Sequence, residues 1–347
     1  MPTMADVAAL AGVSVATVSR ALSGDGRLVS APVLARVQAA AEELGYHPNH
    51  LARNMRSGTS RIFGLVISDI GNPFFTAVAR GAEDIAQRHG YSLVLSNTDE
   101  NPEREAATLD VMTAERAAGI IVATTNENGD ALRRSVAMGT AIVALDRRIQ
   151  GIPTDSVVVD NEGAAHEAVT HLVRLGHRRI GIVGGPHDAH TARERLRGYE
   201  RAHTEARLAV DPALVTEGTF REMDGFRLTR GLLELADPPT AIFSVNNLTT
   251  IGVLRALRDA ERSVPDRMSL IGFDDFPTAE LLAPPLTVVR QPTYRMGAQA
   301  VELLIRRIRE PTAPVQEVLL VGSLVIRGST GPYLPVEPSP ATRGTSA

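Results

Sequence analysis

Between residues 61 and 330, short apolar runs alternate with stretches of helical periodicity. Ile62–Ile67 is a continuous apolar run of strand length. Phe74–His89 is helical, Tyr91–Ser96 strand-like, about Pro102–Ala117 helical and Gly119–Ala123 a strand. Ala141–Leu145 and Val157–Val159 add strands. A helix at about Glu162–Leu175 precedes a strand at Arg179–Val183, and helices near Arg193–Ala206 and Met223–Leu235 follow. Strands at Thr240–Ser244 and Met268–Gly272 enclose one more helix. Apolar runs separated by helices imply parallel sheets covered on both faces, and this many strands suits two doubly wound lobes better than one sheet.

The first sixty residues follow another rule. Thr3 is placed to cap a helix, with Asp6 three residues on as its capping-box partner, and Val7, Leu10 and Ala11 form a stripe expected to face inward. Gly12 supplies a tight turn. Ser14 can cap a second helix, Val15 to Leu22, whose buried face carries Val18 and Leu22 while Val15, Ala16, Ser19 and Arg20 point away. A third helix, about Ala31–Leu44, is expected behind Ser30, with Pro32 in its first turn. This is the pattern of a helix-turn-helix. The outward face of its second helix would enter a major groove, with Arg20 as the reader of a guanine edge and Val15 and Ala16 making apolar contacts. The blander reading is a three-helix core with an exposed arginine.

Charge is distributed to match. Residues 1–61 carry six arginines against four carboxylates, a net of +2, and the remainder carries 30 basic and 36 acidic residues, a net of −6. All the basic residues other than histidine are arginine, which forms bidentate contacts that lysine does not. There is no cysteine, hence no disulfide and no thiolate metal site. No apolar run is long enough for a membrane span, and no signal-peptide pattern opens the chain, so the cytoplasm is expected.

The string from Met4 to Gly24, the segment GYHPNHLAR at residues 45–53, HLVRLGHRRIGIVGG at 171–185 and GFDD at 272–275 together resemble a LacI/GalR-family transcriptional regulator, over nearly the whole chain to about Thr330. The resemblance implies an all-α helix-turn-helix head followed by an α/β periplasmic-binding-protein-like body of two doubly wound lobes. The head would span residues 1–48, and a hinge helix and linker 49–60. The effector-binding body would span 61–330, with lobe 1 at about 61–160 and 291–320, and lobe 2 at about 161–290 and 321–330. The Pro/Gly/Ser-rich tail, 331–347, reads as disordered, without a tetramerising coiled coil. By the same likeness Ser14, Val15, Ala16, Thr17, Ser19 and Arg20 would face DNA. In the hinge, Asn49 would cap, Arg53 would lie near phosphate or minor groove, and Met55 would stand where the family wedges a leucine between bases.

Ligands of open parallel sheets bind beyond the carboxyl ends of the strands. That rule selects Asn72 to Phe75, Asp146 and Arg147, Asp160 and Asn161, Asn246 and Asn247, and Asp274 and Asp275: carboxylates and amides with a few aromatic rings, suited to a polyhydroxylated ligand. The resemblance narrows the effector contacts to Phe74, Phe75, Asp146, Arg195, Phe220, Asn246 and Asp274, and notes that Asn247 replaces the family's usual aspartate. Cap or turn former is the competing role for each.

His187 and His190 form a histidine pair with no clear third ligand, so no metal is expected. No nucleophile elbow, Walker loop or HExxH motif is present, no cofactor is called for, and the chain reads as no enzyme. The leading function is a homodimeric, sequence-specific repressor of transcription. Its partners would be a double-stranded DNA operator and a small effector, most simply a sugar, with a purine or nucleoside also within the family's range. The alternative is a solute-binding protein without a DNA role.

Overall fold

The computed structural model describes residues 2–22, 29–46, 60–125 and 129–334. They fall into two compact units, Met1–Ser60 and Arg61–Ala347.

In the first unit α1 (Met4–Ala11), α2 (Val15–Ala21) and α3 (Ala31–Glu43) share one small core. Thr3 caps α1 reciprocally: its hydroxyl accepts from the Asp6 N–H, and the Asp6 carboxylate accepts from the Thr3 N–H at 2.7 Å. Two donors that the first turn leaves bare are thereby satisfied. Gly12 adopts the left-handed conformation (φ 63°, ψ 41°), and the axis of α2 is bent 98° from that of α1. Ser14 caps α2 by accepting from the Thr17 N–H. Ser30 occupies the cap position of α3, but its hydroxyl makes no cap bond. The inward stripe of α1 differs from expectation. Ala8 joins Val7 and Ala11 in the core, and Leu10 is 48% exposed. Val37, Ala40 and Ala41 of α3 line that core, and three close helices leave space for small residues rather than for Leu10. Ala21 likewise takes the buried place expected of Leu22, which is half-buried. Asn49, Arg53 and Met55, and with them the expected hinge, lie outside the described residues.

The helices of the second unit are α4 (Pro73–Arg88), α5 (Pro102–Ala114), α6 (Asp130–Ala137), α7 (Asn161–Arg174), α8 (His190–Glu205), α9 (Glu222–Leu233), α10 (Asn247–Asp259) and α11 (Thr293–Arg309). Its strands are β1 (Ile62–Ile67), β2 (Ser92–Asn97), β3 (Gly119–Val122), β4 (Ala141–Leu145), β5 (Asp155–Val159), β6 (Ile180–Val183), β7 (Val215–Thr216), β8 (Ala241–Ser244), β9 (Ser269–Phe273), β10 (Thr287–Arg290), β11 (Glu317–Leu320) and β12 (Ser323–Val325). They form two six-stranded sheets, ordered β11-β5-β4-β3-β1-β2 and β12-β10-β9-β8-β6-β7. Pairing is parallel except between β10 and β12, where Val289 opposes Leu324. The chain passes from one sheet to the other after β5, after β10 and after β11, so each lobe is completed by a late segment.

Each sheet buries both faces. Along β1, Phe63, Leu65 and Ile67 turn toward α4 and α11, while Val66 turns toward α5 and α6. That period of two is why the run is apolar throughout. Helices α4 and α11 approach closely because Gly81 and Gly297 stand at their crossing. A Cβ on Gly81 would lie 2.0 Å from the Tyr294 carbonyl oxygen, and one on Gly297 would lie 2.0 Å from that of Val78. In lobe 2, Phe243, Ile271 and Phe273 pack toward α7 and α8, and Ile242 and Leu270 toward α9 and α10.

The segment read as a disordered tail from Gly331 begins as part of the body. The Gly331 N–H donates to Ser269 Oγ at 3.0 Å, and the Tyr333 N–H donates to the Leu175 carbonyl at 2.8 Å. Composition missed this because backbone groups hold the segment, and these are present in any sequence.

Candidate functional site

On the first unit, Val15, Ala16 and Arg20 are exposed on α2, with Thr17 and Ser19 half-buried beside them. Ser14 is committed to its cap, its Oγ 2.9 Å from Thr17 Oγ1. Arg20 folds back along its helix, Nε donating to the Ala16 carbonyl at 3.3 Å. That bond is solvent-exposed, so its exchange for a base edge costs little.

In the second unit the seven expected effector residues meet on one cleft between the lobes, although they come from six separate places in the chain. Beyond β1, Asn72 caps α4 by accepting from the Phe74 N–H at 2.8 Å, which turns Phe74 and Phe75 inward as an edge-to-face pair 4.9 Å apart. Beyond β4 the chain enters the left-handed region at Asp146 (φ 64°), so successive side chains, Asp146 and Arg147, both enter the cleft. Beyond β9 the same conformation recurs at Asp274 (φ 73°). Arg195 reaches in from α8. Its Nε donates to Asn161 Oδ1 at 2.9 Å, one Nη donates to the Val245 carbonyl at 2.6 Å, and its guanidinium lies 3.8 Å over the Phe273 ring. Phe220 covers one side, 5.7 Å from the Arg147 guanidinium.

Asn246 lines the cleft, yet its amide is engaged. Oδ1 accepts from the Thr249 N–H at 2.7 Å in the capping box of α10, and Nδ2 donates to the Phe220 carbonyl at 3.1 Å. Asp69, Glu100, Thr191, Arg221 and Gln291 complete the walls and were not singled out from sequence. Asp160 caps α7, and Asp275 is held by Arg290 and Arg327.

Charge is concentrated where water is scarce. Burial raises the Asp146 carboxyl to about 6; Arg195 and Arg147 oppose the shift, and Asp274 and Glu100 reinforce it. Burial also raises Asp274 and lowers Arg195. Arg147 is desolvated too, but the charge of Glu100, which accepts two bonds from it at 2.8 and 2.7 Å, lifts it above the ordinary value. Four buried polar atoms here have no hydrogen-bond partner: Asp146 Oδ1, Arg147 Nε, Asn247 Oδ1 and Gln291 Oε1. Donors and acceptors left bare in a buried site are matched by a ligand that offers both, as hydroxyl groups do.

Polar contacts tie the lobes across this cleft. Arg221 Nη1 donates to Asp69 Oδ2 at 2.6 Å, and Asn247 Nδ2 donates to Asn72 Oδ1 at 2.8 Å. Arg148 bonds Glu194 of α8 at 3.1 Å while its Nε holds Glu317 of β11 at 2.8 Å. The inner void they enclose is about 30 Å³, and a side chamber of about 300 Å³ opens beside Phe74, Phe276 and Gln291. His187 faces Glu217 and His190 faces Glu194, so the histidine pair points to two different carboxylates.

A three-helix head and a two-lobed body with its polar groups turned into a cleft define a ligand-responsive regulator. Residues 3–49 match the family described as bacterial regulatory proteins, lacI family, and residues 169–330 match a periplasmic binding protein-like domain. The ribose operon repressor of Escherichia coli (strain K12) is 35% identical over 336 residues, covering 95% of this chain and 100% of the relative. The structure of the lac repressor dimer bound to operator and the anti-inducer ONPF aligns with a TM-score of 0.84 at 28% identity, covering 95% of this chain and 99% of that one. That of the transcriptional regulator CelR–cellobiose complex aligns with a TM-score of 0.72 at 31% identity, covering 95% and 100%. The chain belongs to the lacI family of bacterial regulatory proteins. It is a DNA-binding transcriptional regulator under effector control, not an enzyme, and the reading as a solute-binding protein without a DNA role is set aside.

Proposed function

We propose that this regulator is a cytoplasmic repressor that binds its operator as a homodimer and changes its grip when a sugar enters the cleft. Arg20 would read a guanine edge, with Val15, Ala16, Thr17 and Ser19 packing on the groove and Ser14 holding the start of the reading helix. Asn49, Arg53 and Met55 would serve the hinge. In the cleft Arg195, Asp146 and Asp274 would engage hydroxyls, while Phe74, Phe75 and Phe220 cover the apolar sugar face. Asn246 would act first as the cap that aims α10.

One observation carries the sugar assignment: buried donors and acceptors without partners stand among aromatic rings at the ends of parallel strands. The ribose and cellobiose named for relatives agree with that chemistry. The test starts from DNA sites selected by the full-length protein from random duplexes. Binding is then titrated against salt and against ribose, cellobiose and a wider sugar panel. Salt-sensitive, sequence-selective binding that one sugar alters about 5- to 150-fold is expected. Equal binding to every duplex overturns the DNA assignment. Selective binding that responds to nucleosides and to no sugar overturns the sugar assignment alone.

A further inference from the structure

The contact between Asn72 and Asn247 has a fixed polarity. Asn72 Oδ1 accepts from the Phe74 N–H at 2.8 Å to cap α4, which settles which end of that amide is oxygen. Asn247 therefore presents Nδ2 to it, 2.8 Å away, from the first turn of α10 in the other lobe. The pair is buried, with Asn247 1% and Asn72 7% exposed. A carboxylate at 247 would set oxygen against oxygen in that place, whereas a carboxylate at 72 would still cap the helix and still accept.

The start of a helix favours a negative charge, so an acid at 247 would suit α10 by itself. That preference acts within one lobe. It is the same whether the lobes are near or apart, and it cancels from the equilibrium between them. The backbone N–H of Asn247, bound to Asp274 in its own lobe, cancels likewise. Only the cross-lobe amide responds to spacing.

We propose that Asn247 is a positioning residue that sets the closure of the two lobes by acting as an obligatory donor to Asn72. The inference concerns lobe spacing and stands whether or not the effector is a sugar. The chain has no cysteine, so spin labels can be placed through Met138→Cys on lobe 1 and Glu200→Cys on lobe 2, both exposed. Double electron–electron resonance on labelled full-length protein diluted with unlabelled protein reads the distance between lobes. Asn247→Asp should lower the ratio of close to separated lobes at least fivefold. Asn72→Asp should hold or raise it, and the double substitution should lower it furthest. Asn247→Ala, which removes the donor without adding charge, should lower it by less, and it carries the test should the acidic variant fail to fold. Equal shifts from the two single aspartates, an unchanged ratio in Asn247→Ala, or a parent protein without the close population overturns the proposal.

Discussion

Arg221 and Asp69 lie 152 residues apart in sequence and 2.6 Å apart in space, one at the start of α9 and the other just past β1. Asp69 is the more buried partner, with a side chain 12% exposed against 41% for Arg221. An ion pair with one wet end contributes at most about 1 kcal/mol. Its weight falls on the spacing of the lobes, although Asp69 Oδ1 also accepts from the Gly71 N–H at 2.8 Å within its own lobe and Arg221 Nη2 also donates to the Asp99 carbonyl at 3.3 Å.

Loss of this tie should therefore weaken ligand binding more than stability. Arg221→Ala and Asp69→Asn are each expected to reduce affinity for the responding sugar by about fivefold, equivalent to about 1 kcal/mol. The double variant should be no weaker than the worse single, since one contact is removed twice. Calorimetric titration of the three variants checks this, and additive losses would assign the two residues to independent ligand contacts.

The Asp146 carboxyl, raised to about 6, makes stability depend on pH in a definite direction. Between about pH 4 and 6 the folded protein holds a proton that the unfolded chain has released, so stability falls as pH rises through that window and levels off above it. A shift of about two units corresponds to about 3 kcal/mol. Asp146→Asn removes this component. In urea unfolding at pH 4 and pH 7, the gap between variant and parent should widen by about 3 kcal/mol in favour of the variant at the higher pH. A gap independent of pH would mean that the carboxyl is ionised throughout.

Two glycines in helices should respond oppositely to alanine. At Gly81 a Cβ would meet the Tyr294 carbonyl at 2.0 Å, and backbone has little room to yield, so Gly81→Ala should destabilise by about 3 kcal/mol. At Gly231 nothing lies within 4 Å of the new atom, and Gly231→Ala in α9 should stabilise by about 0.5–1 kcal/mol. Denaturant midpoints of the two variants decide, and the same sign for both would show that helix propensity outweighs the packing of α4 on α11.

Asp274 and Asp146 were legible in the sequence because the strands before them read as apolar runs, unbroken in Ala141–Leu145 and interrupted by Ser269 in the other, and the strand-end rule then points to the polar residue that follows. Gln291 was not. It follows β10, four residues long and just after Pro284-Pro285-Leu286, too short for alternation or length to mark it. Arg221 and Asp69 escaped for a different reason: nothing local records a partner 152 positions away. Asn246 shows the limit for a residue that the strand-end rule places on the cleft. Asparagine caps helices and binds hydroxyls with the same amide, and only the Thr249 and Phe220 contacts reveal how that amide is used. In the head, Leu10 was assigned inward by its i, i+3, i+4 spacing with Val7 and Ala11 and Ala8 overlooked, since periodicity alone fixes a face only to within about one residue and the gap admits the smaller side chain.

The head offers the sharpest test of the reading helix. Arg20 is exposed, and its Nε bond to the Ala16 carbonyl, 3.3 Å long, must open before the guanidinium can reach a base. A bidentate contact to guanine contributes about 1–3 kcal/mol of discrimination. Arg20→Ala should therefore lower affinity for the selected duplex about 5- to 150-fold while affinity for unrelated duplex falls much less, and sugar affinity should not change, because the cleft lies in the other unit. Anisotropy titrations on both duplexes separate the outcomes. An equal loss on the two would make Arg20 a phosphate contact, with the reading of sequence left to Val15, Ala16 and their neighbours on α2.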